Sequence, residues 1–351
     1  MDEFASISHW TSHRQSADWQ RQRGVALGIG DDAAAVDLAA ALDGIDGGKR
    51  LLLAVDTMVE TVHFSDATMR DEDVGYKALA ANISDIAAMG GVPLHALVSV
   101  SVPKSYGPER MRRIYDGLYE CAERYGVAVI GGDTTSSPER LVVSVTLTGT
   151  VEAGRELRRS GAKPGEAVFL TGAVGLSAAG LHLLLAEAGG KAAHEAERRY
   201  REALVAAHRR PAPSVQAGRL LLTGGCSSLN DVSDGLASEA WELAEASRLR
   251  LVLRERLLPK SGSMSDYARD AGIDPLEWML YGGEDYVLLG TIDAGKAEAA
   301  RQAFREEGLP FFVIGETEEG PPGVELAREW NSGAGENRTS IAKRGYNHFG
   351  E

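Results

Sequence analysis

The sequence predicts a mixed α/β fold in about two domains. Short apolar runs typical of strands alternate with longer segments typical of helices, and glycines stand where the two kinds of segment meet. The chain has 351 residues, which at roughly 150 residues per domain is enough for two domains that each bury a core. We therefore expect an N-terminal domain over residues 1–152 and a C-terminal domain over residues 153–351.

In the N-terminal half, apolar runs predict strands at residues 51–55, 94–102, 127–130 and 141–151. The first run stops at Asp56 and the third at Gly131, so acids and glycines follow the strands. Three acids, which suit the positive end of a helix dipole, begin a predicted helix at residue 71 that ends at residue 89, before two glycines and a proline. A second helix is predicted over residues 108–125.

The C-terminal half repeats the pattern after a glycine- and proline-containing turn at residues 161–165. Strands are predicted at residues 167–171, 249–253, 286–291 and near 311–314. An apolar helix is predicted from residue 176 through 185, and a charged helix follows it to about residue 208. Two further helices are predicted over residues 236–247 and 296–307. The glycine loop at residues 172–175 has two interpretations, an anion site or simple helix entry, and we favour the second. The polar segment 329–338 is expected to be a loose loop.

Composition excludes several classes of partner. Lys and Arg total 37 against 51 Asp and Glu, a formal charge of −14, so we expect no nucleic-acid partner, and a phosphate ligand would need a bridging cation. Apolar stretches fall short of the roughly 20 residues of a membrane span, and residues 1–9 lack a secretory pattern, so we expect a cytoplasmic protein. Two isolated cysteines predict neither a disulfide framework nor a zinc site.

Acids beside glycine, serine or threonine recur along the chain. They are Asp31 and Asp32, Asp56, Asp85, Asp133, Asp231 with Asp234, and Glu284 with Asp285. Hard cations need oxygen ligands at short range, so the set predicts magnesium, although each acid alone is more simply a turn or cap residue. The phosphate loop, the protein-kinase loops and a nucleophilic triad are absent from the sequence, so any ATP chemistry must use another fold.

Longer motifs, taken in order, resemble the thiamine-monophosphate kinase family over nearly the whole chain. They are Gly28-Ile29-Gly30-Asp31-Asp32, Asp56-Thr57-Met58-Val59-Glu60, Asn82-Ile83-Ser84-Asp85, Gly131-Gly132-Asp133, Arg159-Ser160-Gly161, Asp231-Val232-Ser233-Asp234, Gly282-Gly283-Glu284-Asp285 and Gly345-Tyr346-Asn347-His348. The resemblance implies transfer of the γ-phosphoryl group of ATP to thiamine monophosphate. It also implies the two-domain aminoimidazole ribonucleotide synthetase-like fold, a homodimer whose N-terminal sheets join into a barrel, and ATP near the shared interface.

The resemblance also assigns residues. The implied magnesium site consists of Asp32, Val55, Asp56, Asp85, Asp133, Asp231 and Asp234. The implied ATP contacts are Gly132, Asp133, Arg159 and Ser233, and the implied substrate contacts are His63, Glu284 and Tyr346. Since a phosphate acceptor is already ionised, no general base is expected, and His63, Asp56 and Asp133 are assigned to positioning.

The chain departs from the family pattern at a few positions. Ala54 replaces Ser or Thr, Thr61 replaces Gly, Ser136 replaces Arg, Leu176 replaces Asp, Asn347 replaces Asp, and Tyr346 stands where Trp is frequent. Two alternatives to the kinase stay open at this point. One is another ATP-dependent synthetase of the same superfamily, and the other is a catalytically silent nucleotide-binding regulator.

Overall fold

The computed structural model describes residues 18, 21, 25–27, 31, 34–37, 48–190, 198–329, 336–346 and 348. The strands are β1 (Val25–Leu27), β2 (Ala34–Val36), β3 (Lys49–Val59), β4 (Val92–Pro103), β5 (Ala128–Ser137), β6 (Val142–Glu152), β7 (Glu166–Leu170), β8 (Cys226–Asp231), β9 (Arg250–Arg254), β10 (Leu288–Asp293), β11 (Phe312–Glu318), β12 (Gly323–Glu329) and β13 (Glu336–Ser340). The α-helices are α1 (Asp71–Ala88), α2 (Pro108–Tyr125), α3 (Leu176–Ala188), α4 (Arg198–Arg209), α5 (Val215–Gly224), α6 (Leu236–Ser247), α7 (Gly262–Ala271), α8 (Pro275–Tyr281) and α9 (Ala297–Glu306). The predicted mixed α/β class is confirmed.

The N-terminal sheet has six strands in the order β1-β2-β3-β6-β4-β5. β3 and β6 pair antiparallel along their full lengths, and β5 joins the edge parallel to β4. Along β3, Ala54 and Met58 point into the core while Val55 is exposed, so residues of alternate parity face opposite sides of the sheet. Asp56 therefore shares the core-facing side with Ala54 and Met58.

The two predicted strand ends at Asp56 and Gly131 are wrong. β3 continues to Val59 and β5 to Ser137. Hydrogen bonding to β6 and β4 carries both strands through their polar residues. β3 keeps one face partly buried, whereas no residue of β5 is buried, so main-chain pairing with β4 defines β5. Each predicted strand end is thus the point where the strand changes from apolar to polar residues, and the strand itself continues.

Helix α1 lies at the centre of the molecule. It contacts β3, β4 and β6 of the first sheet and also β8 and α5 of the second half. It crosses α2 at two glycines: a Cβ atom on Gly75 would lie 1.7 Å from the Ile114 carbonyl oxygen, and one on Gly117 would lie 1.8 Å from the Glu72 carbonyl oxygen. The backbones of the two helices are therefore in direct contact, and no larger residue fits at the crossing.

The C-terminal sheet has seven strands in the order β13-β12-β9-β11-β7-β10-β8. All of β7 is buried, and its two faces belong to different cores. Ala167 and Phe169 belong to the core that includes residues of the N-terminal sheet, whereas Val168 and Leu170 belong to the core that includes residues of α3, α6 and α8. β8, at the edge of this sheet, contacts α1, where the two halves meet. Within the described ranges, no helix combines the length and apolar character needed to cross a membrane.

Several C-terminal details differ from the prediction. Residues 336–338 belong to β13, which pairs with β12, instead of a loose loop, because the polar tail still makes main-chain hydrogen bonds to an edge strand. β10 begins at Leu288 because Tyr286 has a φ of 52° and its N–H donates to the Val232 carbonyl oxygen. Residues 191–197 of the predicted charged helix lie outside the described residues. Besides β13, the elements that the sequence did not predict are β1, β2, β8, β12, α5, α7 and α8.

Candidate active site

A cleft with a cavity volume of about 900 Å³ opens between the two halves of the chain. The N-terminal half contributes the end of β3, the following turn at residues 60–65, and the C-terminal part of α1. The C-terminal half contributes the end of β8, the loops at residues 232–235 and 282–286, and residues 345, 346 and 348 of the tail. Most of the sequence-predicted site residues line it, namely Val55, Asp56, His63, Asp85, Asp231, Ser233, Asp234, Glu284 and Tyr346.

Four aspartates from four elements reach this cleft, in addition to Glu284. Asp56 comes from β3, Asp85 from α1, Asp231 from the end of β8, and Asp234 from the loop before α6. Among the described residues, no three His, Cys, Asp or Glu side chains are grouped closely enough to form a ready metal site. Asp32, the remaining carboxylate from the N-terminal motif, lies outside the described residues.

The electrostatics of Asp56 and Asp231 test whether the cleft suits a cation. Asp231 is 2% exposed and accepts a hydrogen bond of 2.5 Å from the Ser84 hydroxyl, and burial raises the pKa of its carboxyl. Burial, together with the charge of Asp231, raises the pKa of Asp56 to about 6. The charge of Asp231 disfavours ionisation of Asp56, and a bound cation would relieve this repulsion while using the carboxylate oxygens as ligands. The donor set therefore fits a hard divalent cation such as magnesium.

A tight turn after β3 presents His63 to the cleft. The Val59 N–H donates to His63 Nδ1 at 3.0 Å, and the His63 N–H donates to the Val59 carbonyl oxygen. Since Nδ1 accepts, Nε2 carries the ring proton. Burial and then His348 lower the pKa of His63, so the ring is a neutral donor at neutral pH.

Three rings form one wall of the cleft. Tyr346 and His348 meet edge to face with centroids 4.8 Å apart, and His63 lies 5.1 Å from His348 and 6.3 Å from Tyr346. Tyr346 and His348 lie on the C-terminal tail, which is held in place because the Tyr346 N–H donates to the Asp234 carbonyl oxygen at 3.0 Å. His348 was not predicted as a site residue, although it lies two positions beyond Tyr346 in the same motif.

Glu284 reaches the cleft from a strained backbone conformation and meets two buried residues that the sequence analysis missed. Its φ is 65°, and its N–H donates to the Ser233 carbonyl oxygen at 2.6 Å. Lys77 Nζ lies 2.5 Å from Glu284 Oε2, and His208 Nδ1 lies 3.5 Å from the same oxygen. Lys77 had a signal in the sequence, because a lysine within an otherwise small and apolar helical segment has no solvent-facing side to reach.

Asp285 explains the glycine loop before α3. Its carboxylate accepts hydrogen bonds from the Gly175 N–H at 2.5 Å and the Ser177 N–H at 3.1 Å, at the start of α3. Burial raises the pKa of Asp285 to about 7, against the effect of these hydrogen bonds. The anion at this helix N-terminus is thus a side chain of the protein itself, which agrees with the helix-entry interpretation.

Three predicted ATP-contacting residues do not line this cleft. Gly132 and Asp133 lie on β5, at the exposed edge of the first sheet. Arg159 lies behind the cleft, where its guanidinium donates to Asn230 at 3.1 Å and pairs with Glu242 at 3.1 Å. Their roles toward ATP remain predictions.

The replacement of the family's Gly by Thr61 has a consequence for stability that can be tested. Its φ is 70°, a left-handed conformation that is strained for a β-branched residue. We expect Thr61→Gly to raise the free energy of unfolding by about 1 kcal/mol, since relief of the strain outweighs the added freedom of the unfolded chain. Thr61→Asn should fall between the two, because Asn tolerates this conformation better. Denaturant titration measures the series, and a Thr61→Gly protein less stable than the parent would contradict it.

The comparisons with known proteins agree with this arrangement. Residues 30–151 match the N-terminal domain, and residues 163–326 the C-terminal domain, of the AIR synthase related proteins. The thiamine-monophosphate kinase of Bacillus subtilis (strain 168) is 41% identical over 354 residues, covering 99% of this chain and 100% of the relative. A solved structure of AaThiL complexed with AMPPCP and TMP is 31% identical with a TM-score of 0.80, covering 99% of this chain and 97% of the other. The crystal structure of thiamine-monophosphate kinase from Stenotrophomonas maltophilia K279a is also 31% identical, with a TM-score of 0.72 and coverage of 92% and 94%. The chain described here belongs to the thiamine-monophosphate kinase family.

Proposed function

We propose that the protein transfers the γ-phosphoryl group of ATP directly to thiamine monophosphate, giving thiamine diphosphate and ADP. The observation that carries the proposal is the convergence of Asp56, Asp85, Asp231 and Asp234 on one cleft whose other wall is aromatic. A cleft of this charge accepts two phosphates only with cations between them. Family membership and the similarity to a structure that contains AMPPCP and TMP support this choice of substrates.

The acids of the cleft would hold the magnesium ions of this reaction. Asp56, Asp85, Asp231 and Asp234 line the cleft, and Asp32, Val55 and Asp133 complete the proposed ligand set. When bound, magnesium cancels the repulsion between donor and acceptor phosphates and stabilises the charge that spreads over the transferred oxygens. The Ser84 hydroxyl fixes one oxygen of Asp231, which leaves the other for a ligand.

The acceptor needs orientation more than activation. An oxygen of the thiamine monophosphate phosphate bonds to the γ-phosphorus while the bond from that phosphorus to the β–γ bridging oxygen breaks, and ADP leaves with the electron pair. No proton has to be removed, because the acceptor oxygen is already ionised. His63 Nε2–H would donate to the acceptor, and Tyr346 would cover a cationic ring of the substrate with its π face.

We also propose a homodimer and place the remaining ATP contacts at its interface. Val55, Leu97 and Ile130 are 62%, 46% and 60% exposed on the N-terminal sheet, an apolar group suited to a second copy of the same sheet. Analytical ultracentrifugation tests the dimer, and a monomer at micromolar concentration would contradict it.

The remaining ATP contacts would come from both domains. Gly132 and Asp133 lie on the strand that carries Ile130, so ATP bound near this interface would meet them. Arg159 and Ser233 would contact ATP from the C-terminal domain, which we propose to begin at residue 153.

The activity is tested by incubating the protein with ATP, magnesium and thiamine monophosphate and separating the products by chromatography. We expect thiamine diphosphate and ADP in equal amounts. Product with another acceptor only would support a related synthetase, and binding of both ligands without product would support a silent regulator. Because both substrates are phosphorylated metabolites, we place the reaction in the cytoplasm.

A further inference from the structure

We propose that Lys77 and His208 position Glu284 by holding one of its carboxylate oxygens from inside the protein, so that the other oxygen accepts a hydrogen bond from an amino group of the substrate. The inference rests on the proposed function and adds a specificity device to it. Neither Lys77 nor His208 belongs to the residue set that the family resemblance assigns.

Because Lys77 is fully buried, its ion pair with Glu284 takes the place of the water that would otherwise solvate the ammonium group. Lys77 is 0% exposed in the middle of α1, and Glu284 is the only carboxylate paired with it among the described residues. A buried ammonium without a partner costs several kcal/mol. Burial lowers the pKa of Lys77, and the contact with Glu284 is the main effect that opposes this shift. The pair joins α1 to the loop at residues 282–286, which belong to different halves of the chain.

His208 approaches the same oxygen. Its Nδ1 lies 3.5 Å from Glu284 Oε2 and 3.1 Å from the Ser177 hydroxyl oxygen. Burial and the charge of Lys77 lower the pKa of His208 to about 2, so the ring is neutral. Because Nδ1 faces a carboxylate, we assign the ring proton to Nδ1. Lys77 therefore pairs with Oε2, and His208, which is hydrogen-bonded to Ser177, lies against the same oxygen at 3.5 Å.

The second oxygen of Glu284 is left for a ligand. Oε1 makes no hydrogen bond with the described residues, and the side chain is 27% exposed on the wall of the cleft. The backbone adds rigidity, since the Glu284 N–H donates to the Ser233 carbonyl oxygen at 2.6 Å while φ is held at 65°. An ionised oxygen fixed in this way selects an N–H donor, such as the exocyclic amine of an aminopyrimidine, and disfavours an analogue that presents only acceptors.

The experiment compares Lys77→Met, His208→Phe, Glu284→Gln and the double variant Lys77→Met/Glu284→Gln in the kinase assay. We expect Lys77→Met to raise KM for thiamine monophosphate about tenfold or more, with kcat and KM for ATP changed less than about threefold, because the phosphate end of the site is untouched. His208→Phe should raise the same KM by a smaller factor, and it removes no charge, so it tests the proposal even where Lys77→Met folds poorly. The double variant should be no worse than Glu284→Gln alone, since Lys77 acts through Glu284.

Leu79→Ala serves as the matched control, because Leu79 is fully buried on α1 and belongs to the apolar core that includes the N-terminal sheet. It should lower stability and leave KM for thiamine monophosphate unchanged. The proposal is overturned by Lys77→Met or His208→Phe proteins with parental KM for thiamine monophosphate, or by effects of Lys77→Met and Glu284→Gln that simply add. A parent protein that makes no thiamine diphosphate would instead overturn the proposed function.

Discussion

Asp56→Asn is expected to lose at least about a hundredfold in turnover and yet to unfold less readily than the parent when divalent ions are absent. The change keeps the side-chain volume and removes one charge. Burial and the charge of Asp231 raise the pKa of Asp56 to about 6, above its ordinary value of 3.8, so the ionised carboxylate destabilises the ion-free fold at neutral pH. Removing that charge should stabilise the fold by about 2 kcal/mol while removing a ligand of the proposed cations.

Urea unfolding with a chelator and steady-state kinetics at limiting magnesium measure the two halves of this prediction. Asp116→Asn is the control, since Asp116 is an exposed acid on α2 that pairs only with Arg112 among the described residues. It should leave both quantities within error of the parent. Parental turnover in Asp56→Asn at limiting magnesium would count against the proposed magnesium site, and a large loss of stability would count against the charge repulsion.

Gly117→Ala should destabilise the protein by about 3 kcal/mol, although Gly117 lies outside the cleft. The added methyl group would lie 1.8 Å from the Glu72 carbonyl oxygen, so α1 and α2 must move apart. Because α1 carries Lys77 and Asp85, the displacement should also reduce kcat/KM. Thermal unfolding and the kinase assay measure both effects.

Gly262→Ala provides the comparison for this substitution. Gly262 begins α7, and a Cβ atom there would meet nothing within 4 Å. The substitution should be neutral or slightly stabilising, as Ala is the better helix former. A Gly117→Ala protein as stable as Gly262→Ala would show that the helices do not touch at this crossing.

The sequence predicted the elements whose signals are local. The acids at residue 71 and the glycines after residue 89 set the limits of α1 to within a residue, because caps and breakers act over one turn. The sequence did not predict the strand limits that depend on pairing with another strand. β3 passes through Asp56 because β6 lies beside it, and β13 forms from a polar tail because β12 offers an edge. Such partners are distant in the chain and leave no local pattern.

The residues of the candidate site likewise divide into those with a local sequence pattern and those identified only by contacts with distant residues. The acids were found from their neighbours, because small residues beside Asp form a local pattern for an oxygen-ligand site. Lys77 and His208 were missed, since their importance comes from contact with Glu284, which lies far away in the chain. The roles of Gly132, Asp133 and Arg159 rest on the family resemblance, and the geometry of one chain does not bring them to the cleft.

Phosphorus NMR of the complex with AMPPCP, thiamine monophosphate and manganese, used as a paramagnetic substitute for magnesium, tests the central claim most directly. If the acids hold cations between the two phosphates, manganese should broaden the resonance of the thiamine monophosphate phosphate in the parent protein and leave it sharp in Asp56→Asn. A sharp resonance from the bound vitamin phosphate in the parent, beside a broadened nucleotide, would contradict the claim.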